Sequence, residues 1–310
     1  MPSKNIISTT CRLTALLPTL VLSTACSETF NPDCITQATA GHHLYEKCGR
    51  MSFAVEVPDQ CATEQCGLIV DVHGGTMTAE QQDANTNMRE LGRQHGYVIL
   101  QPSAPLGNVS AEHDAQVRTV IQRLVEVYNL DPKRVHMTGF SQGGYMTWRF
   151  ICHSSDIIAS AAPMAAATGG NNAEPPGCSF TGDELPKEEI PLLFLHGSND
   201  EWVSYEAGLA QRDAIVAAWQ MGSGEVISGD DSHRRIRYTN EQGTVLEFLS
   251  HDYSSELNFI YKPVGGHCFP GSTAYEREGV LQLGAFGCEQ PNSFHWGEEA
   301  VKFFMQHPKP

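Results

Sequence analysis

Val135-His136-Met137-Thr138-Gly139-Phe140-Ser141-Gln142-Gly143-Gly144 is the stretch whose reading decides the architecture. Residues 135–140 form an apolar run that predicts a buried strand, and residues 142–152 read as a helix. The pentapeptide Gly139-Phe140-Ser141-Gln142-Gly143 lies at their junction. There a Gly-x-Ser-x-Gly sequence makes the tight turn that lifts a serine hydroxyl above the end of a strand. Ser141 must take a strained backbone conformation, and the flanking glycines remove Cβ atoms that would collide with the adjoining elements.

Outward from this turn the pattern keeps alternating. Upstream, residues 50–57 alternate as an edge strand would and 67–72 form an apolar run. Thr78 opens a polar helix to about His95, residues 97–100 predict a buried strand, and 113–128 repeat apolar residues at helical spacing. Downstream, 157–161 and 191–195 predict strands, 205–219 a helix, 235–238 with 244–249 a hairpin, 257–263 a final strand and 294–304 a closing helix. This alternation implies an α/β fold with a doubly wound, mostly parallel sheet and helices on both faces, whose reactive groups belong at the carboxyl ends of strands. Residues 26–48 are polar and read as a tethered N-terminal segment, with His42-His43 as solvated loop imidazoles; the catalytic domain is placed at 49–310.

A serine hydroxyl needs a base, and the base needs an orienting acid; on this arrangement the chain order is Ser, acid, His. Asp200 follows the strand at 191–195, and His267 follows the predicted final strand within Gly265-Gly266-His267-Cys268-Phe269. Asp231 and Asp252 lie in polar loops without that context. Attack on an ester also creates an oxyanion that needs two fixed donors. One is the N–H of Gln142; the other comes from the loop His73-Gly74-Gly75-Thr76, from Gly75 or Thr76. Candidate substrate walls are His73, Tyr145, Trp202, Phe269 and the Gly-rich loop 169–190. No cofactor and no metal is expected, since neither Cys-x-x-Cys nor His-x-x-x-His spacing occurs.

From about Gly67 onward the chain resembles the α/β-hydrolase esterases of the polyhydroxybutyrate depolymerase and feruloyl esterase family. The resemblance rests on Asp71-Val72-His73-Gly74-Gly75, Asp131-Pro132-Lys133-Arg134-Val135, Thr138 to Gly144, His196-Gly197 with Asp200 and Val203-Ser204-Tyr205, and Gly265-Gly266-His267 with Phe269-Pro270-Gly271. It implies the α/β-hydrolase fold and a Ser141, Asp200, His267 triad hydrolysing carboxylic esters. Gln142, Gly144, Ser204 and Phe269 depart from residues common in the family. The expected substrate is a polyester of the polyhydroxyalkanoate type; alternatives are feruloyl or acetyl esters of plant polysaccharide, or a non-catalytic surface-binding protein on the same fold.

Twenty Lys and Arg against 36 Asp and Glu give the 310-residue chain a net charge of -16, which disfavours nucleic acid as a partner. The first 25 residues hold no acidic side chain, carry Lys4 and Arg12, and run through apolar residues 13–22 to Ser23-Thr24-Ala25, as a cleaved signal peptide does. That run is too short to span a bilayer, and no transmembrane segment is expected. The protein is placed outside the cytoplasm, as a monomer. Ten cysteines in an exported chain imply disulfides. Cys11 leaves with the leader, so nine remain, and lipidation of Cys26 as an outer-membrane lipoprotein would restore an even number. Nearest-neighbour pairing gives Cys34 with Cys48, Cys61 with Cys66, Cys152 with Cys178, and Cys268 with Cys288.

Overall fold

The computed structural model describes residues 30–36, 39–46, 48–167, 186, 188–274 and 285–310. Its centre is a run of six parallel strands in the order β4 (Tyr97–Ser103), β3 (Gly67–Val72), β5 (Val135–Phe140), β6 (Ser160–Met164), β7 (Leu192–Gly197) and β10 (Val245–His251). Every residue of β3, β5, β6 and β7 is buried, as strands covered on both faces must be. Antiparallel strands extend both edges: β2 (Ser52–Val57) and then β1 (Gly41–Tyr45) beside β4, and β9 (His233–Thr239) and then β8 (Glu225–Gly229) beside β10.

One face buries Val117, Val120, Ile121 and Leu124 of α3 (Asp114–Val127) with residues of α4 (Gln142–His153) and α5 (Tyr205–Ala218). The other packs Met88 and Leu91 of α2 (Met88–His95) against Trp296, Phe303 and Phe304 of α6 (Trp296–Gln306). The sheet is therefore the partition between two apolar layers, and its carboxyl edge carries the ends of the adjacent strands β3 and β5, with that of β7 one strand further along beyond β6.

Four expectations are corrected. Residues 50–57 are not the edge: β1 lies outside β2, so His42 and His43 sit in a strand and not on a loop. His42 Nδ1 is 3.2 Å from Glu56 Oε2, and His43 Nε2 meets the Thr39 carbonyl at 2.8 Å. The helix expected over 78–95 is two, α1 (Ala79–Thr86) and α2, because Asn87 is left-handed at φ 53°. Thr78 and Gln81 form a capping box that starts α1 as a Thr-x-x-Gln signature should. The strand expected at 157–161 begins at Ser160. The segment 257–263 is no strand of the main sheet; it falls within a separate two-stranded hairpin, β11 (Ser255–Phe259) with β12 (Lys262–Gly265), so His267 follows this hairpin and the last parallel strand is β10.

Cys34–Cys48, Cys61–Cys66 and Cys268–Cys288 are disulfides, as nearest-neighbour pairing expects. Cys152 is disulfide-bonded as well; its expected partner Cys178 lies outside the described residues, as do Cys26 and the leader 1–25. Among the described residues no helix is long and apolar enough to cross a membrane.

Candidate active site

Ser141 occupies the turn between β5 and α4 at φ 50°, ψ -112°, a region that non-glycine residues avoid. Its N–H donates to the Met164 carbonyl at 3.0 Å and its carbonyl accepts from Tyr145 N–H at 2.9 Å, so β6 and the first helical turn hold the strain in place. A Cβ on Gly139 would collide with the Gly143 carbonyl, and one on Gly143 with the carbonyls of Val72 and His73. Both glycines are required because α4 starts in direct contact with the backbone of its own strand and of β3. The first N–H groups of α4, that of Gln142 foremost, have no partner inside the helix and form its positive end.

Asp200 lies three residues past β7, in a turn its own carboxylate organises. Oδ1 accepts the N–H groups of Trp202 (2.8 Å) and Val203 (2.7 Å), and Oδ2 accepts from His267 Nδ1 at 2.8 Å. This fixes the tautomer: Nδ1 carries the proton and Nε2 is free to accept one. The Asp200 side chain is wholly buried. Burial pushes its carboxyl up, but the charge and hydrogen bond of His267, with His196 and the Val203 N–H, outweigh it and hold the group below the usual carboxylate range.

The acid turn and the histidine loop interlock through Gly266 N–H to Asn199 O at 2.9 Å and Glu201 N–H to Val264 O at 3.4 Å, while His267 N–H closes its own turn on Val264 O at 2.9 Å. A side chain on Gly197 would strike Gly266, so the two segments touch backbone to backbone. The Phe140 ring, one residue before Ser141, packs 4.6 Å from the His267 ring. Serine turn, acid and histidine thus converge at the carboxyl edge of the sheet from β5, β7 and the β11–β12 hairpin.

Residues named from sequence divide. Thr76 donates its N–H to the Gly107 carbonyl at 2.8 Å and cannot offer it to an oxyanion, which leaves Gly75 facing Gln142. His73 is no substrate contact: it is wholly buried, with Nδ1 on the Gly74 carbonyl (2.7 Å) and Nε2 accepting from Ala104 N–H (3.3 Å), and burial keeps it neutral by lowering its pKa. It shapes the Gly74-Gly75 loop from below. Phe269 is likewise wholly buried, its ring 4.4 Å from Phe140, and belongs to the core behind His267. Trp202 and Tyr145 stay partly exposed. Burial, with the Asp200 carboxylate next, pushes the Tyr145 hydroxyl up to about 12, so it keeps its proton. Most of the loop 169–190 lies outside the described residues.

Sequence reading missed the support beneath the acid. His196 is buried, donates Nε2–H to the Val203 carbonyl at 2.9 Å, and stands 3.8 Å from Asp200 Oδ2. Its signals were a histidine at the end of an apolar run and its place in the His196-Gly197 block ahead of Asp200.

It also missed Asp71, buried just before the His73 loop. Gln82 (2.7 Å), Thr86 (2.8 Å) and Gln101 (2.9 Å) donate to its carboxylate, while Gln82 Oε1 accepts no hydrogen bond among the described residues. Burial raises its pKa to about 6 against these three bonds. The native state then holds this proton more tightly than the unfolded chain, so the group favours folding at low pH and costs stability as pH rises from about 4 through 6. We expect urea melts to show wild type losing about 2–3 kcal/mol relative to Asp71→Asn between pH 4 and pH 7.5. A gap that does not change with pH would refute this account.

No protein-family model matches the chain. Among solved structures, an acetyl xylan esterase from Aspergillus awamori superposes with a TM-score of 0.54 over 68% of this chain and 93% of that one, at 16% identity. A thermostable esterase gives 0.54 over 86% and 63%, also at 16% identity. The chain has the α/β-hydrolase fold. Among curated proteins, the chain is 27% identical over 144 residues to a bifunctional acetylxylan esterase/xylanase of Neocallimastix patriciarum, spanning 45% of the chain and 20% of that protein. It is 33% identical over 155 residues to feruloyl esterase B of Piromyces equi, spanning 46% of the chain and 28% of that protein. To a poly(3-hydroxybutyrate) depolymerase of Ralstonia pickettii it is 30% identical over 175 residues, spanning 49% and 34%. The chain therefore spans about a fifth to a third of the length of these relatives, which are the esterases and depolymerases its sequence blocks resemble.

Proposed function

We propose that the chain is an exported serine carboxylic-ester hydrolase that works through an acyl-enzyme on Ser141, with aliphatic polyesters of the polyhydroxyalkanoate type as its substrate class. The observation that carries the reaction class is the bond from His267 Nδ1 to the buried Asp200 carboxylate, beside a strained serine at the end of a parallel strand. In this reading His267 Nε2 takes the Ser141 proton as Oγ attacks the ester carbonyl, and returns it to the leaving alcohol. Asp200 stabilises the imidazolium between these steps, and the N–H groups of Gln142 and Gly75 receive the oxyanion. Water repeats the sequence on the acyl-enzyme and releases the acid.

A polymer surface is favoured by what flanks the site. Ile260 and Tyr261 are exposed at the tip of the β11–β12 hairpin, which Trp202 joins to the acid turn through its indole N–H on the Pro263 carbonyl (3.2 Å) and its ring on Phe259 (5.3 Å). Leu106 is exposed beside Gly107, the residue that holds Thr76. Apolar side chains held out on tight turns gain about 1.5–3 kcal/mol each when buried, so they suit a solid apolar surface. The second reading, a feruloyl or acetyl esterase acting on plant polysaccharide, is favoured by what the curated relatives are named for. Export accords with the disulfides among the described residues, and lipidation of Cys26 belongs to the proposal.

A panel of emulsified polyester, feruloyl and short p-nitrophenyl esters, run beside Ser141→Ala, tests both readings. Turnover of feruloyl esters with none of polyester would select the second. The double variant Ile260→Ser/Tyr261→Ser should bind polyester film at least tenfold more weakly while keeping wild-type kcat/KM on a soluble ester. Unchanged adsorption would remove the surface argument.

A further inference from the structure

The geometry points to a second role for Gln142, resting on the ester-hydrolase reading above: its side chain is a brace that sets the spacing of the two N–H groups offered to the oxyanion. Those donors come from segments far apart in sequence, and they are useful only if both point at one oxygen, each within about 2.7–3.1 Å of it. The N–H of Gln142 is fixed by α4. The N–H of Gly75 is in a loop whose neighbours have little regular structure to hold them.

Three contacts close a circuit around that loop. Gln142 Oε1 accepts the Val109 N–H at 3.0 Å, tying the start of α4 to the segment after β4. Two residues back in that segment, the Gly107 carbonyl accepts the Thr76 N–H at 2.8 Å. Gly75, adjacent to Thr76, lies flat against the Gln142 amide; a Cβ there would stand 2.9 Å from Cδ and 3.0 Å from Nε2. The path thus runs from Gln142 through Val109, Gly107 and Thr76 to Gly75 and back. His73 pins the same segment from below by accepting the Ala104 N–H.

The segment needs such ties, because Leu106 and Gly107 are both left-handed, at φ 56° and 67°, and no strand or long helix passes through it. A shorter amide at position 142 would not reach Val109, and an apolar side chain would offer no acceptor. The amide is therefore a positioning group whose removal leaves both donors present and misplaces one. Errors well under 1 Å are enough to weaken an oxyanion site.

The test is Gln142→Met, similar in length and volume but without the acceptor. We expect kcat on a soluble p-nitrophenyl ester to fall about 10- to 100-fold with KM within about twofold, since only the transition state uses the aligned pair. Affinity for a trifluoromethyl ketone analogue should fall by the same factor as kcat/KM, while the inhibition constant of the product acid stays put. A folded variant with wild-type kcat, or with its loss in KM alone, overturns the brace. Should Gln142→Met fail to fold, Gly75→Ala probes the same contact from the other side and must show the same split. Ser141→Ala run in parallel separates the two ideas: retained activity there overturns the hydrolase reading itself, whereas a dead Ser141→Ala beside a fully active Gln142→Met overturns only the brace.

Discussion

On the proposed mechanism Ser141→Ala and His267→Ala should each lower kcat by about 10^4- to 10^6-fold, and the double variant should be no worse than either single one, because nucleophile and base would act as one unit. Asp200→Asn should lose about 10^4-fold, at the mild end of that range. Its Oδ1 position can still accept the N–H groups of Trp202 and Val203, so the turn survives. The lost group is the Oδ2 acceptor of His267 Nδ1–H. An amide nitrogen there favours the tautomer with the proton on Nε2, which cannot take one from Ser141. Single-turnover kinetics on a p-nitrophenyl ester reads all three losses. Retention of more than about a tenth of wild-type turnover in either Ser141→Ala or His267→Ala sinks the triad, and additive losses would show that the two groups do not share a step.

Cys288→Ser should lower both stability and turnover. The cross-link closes a loop of sequence separation 20, worth roughly 3 kcal/mol on the chain-entropy model. For a domain of this size that corresponds to a Tm about 6–12 °C lower. Its consequence for chemistry comes from position: Cys268 is buried directly after His267, and Phe269 is stitched to the same segment by its N–H on Phe286 O (2.7 Å) and its carbonyl on Cys288 N–H (3.0 Å). Loosening that seam frees the base more than any substrate wall, so kcat falls severalfold while KM holds. A thermal melt and a Michaelis curve on the reduced-cysteine variant check the two parts. Were KM to rise with kcat unchanged, the cross-link would be acting on the pocket and not on the imidazole.

Much of the site could be read from the chain because its local rules are strong. A Gly-x-Ser-x-Gly at the junction of a strand and a helix leaves few conformations open, and the glycines at 139 and 143 are explained by backbone contacts that no side chain tolerates. The same holds for β5, whose bounds match the apolar run residue for residue, and for α3, whose apolar face repeats at helical spacing. The order Ser, Asp, His was read from strand ends, which holds for Ser141 after β5 and Asp200 after β7, whereas His267 follows the separate β11–β12 hairpin. Disulfide pairing of neighbours was legible for a related reason: short loops close easily.

Tertiary structure decided what depends on contacts between distant segments. An apolar histidine-and-glycine loop reads the same whether His73 faces substrate or backbone; only the Ala104 N–H above it made it a buried support. Phe269 was named as a wall because it follows the base, yet Phe140 and Phe286 enclose it. Gly75 and Thr76 were equal candidates until Gly107, over 30 positions away, took the Thr76 N–H. Residues 255–265 carry ordinary strand signals, and the sheet that receives them is fixed by edge pairing: β9 already covers β10, leaving β11 and β12 to pair with each other. Local sequence determines which conformations a segment prefers, whereas the partners of its buried polar groups are set by whatever the folded chain brings within hydrogen-bond reach.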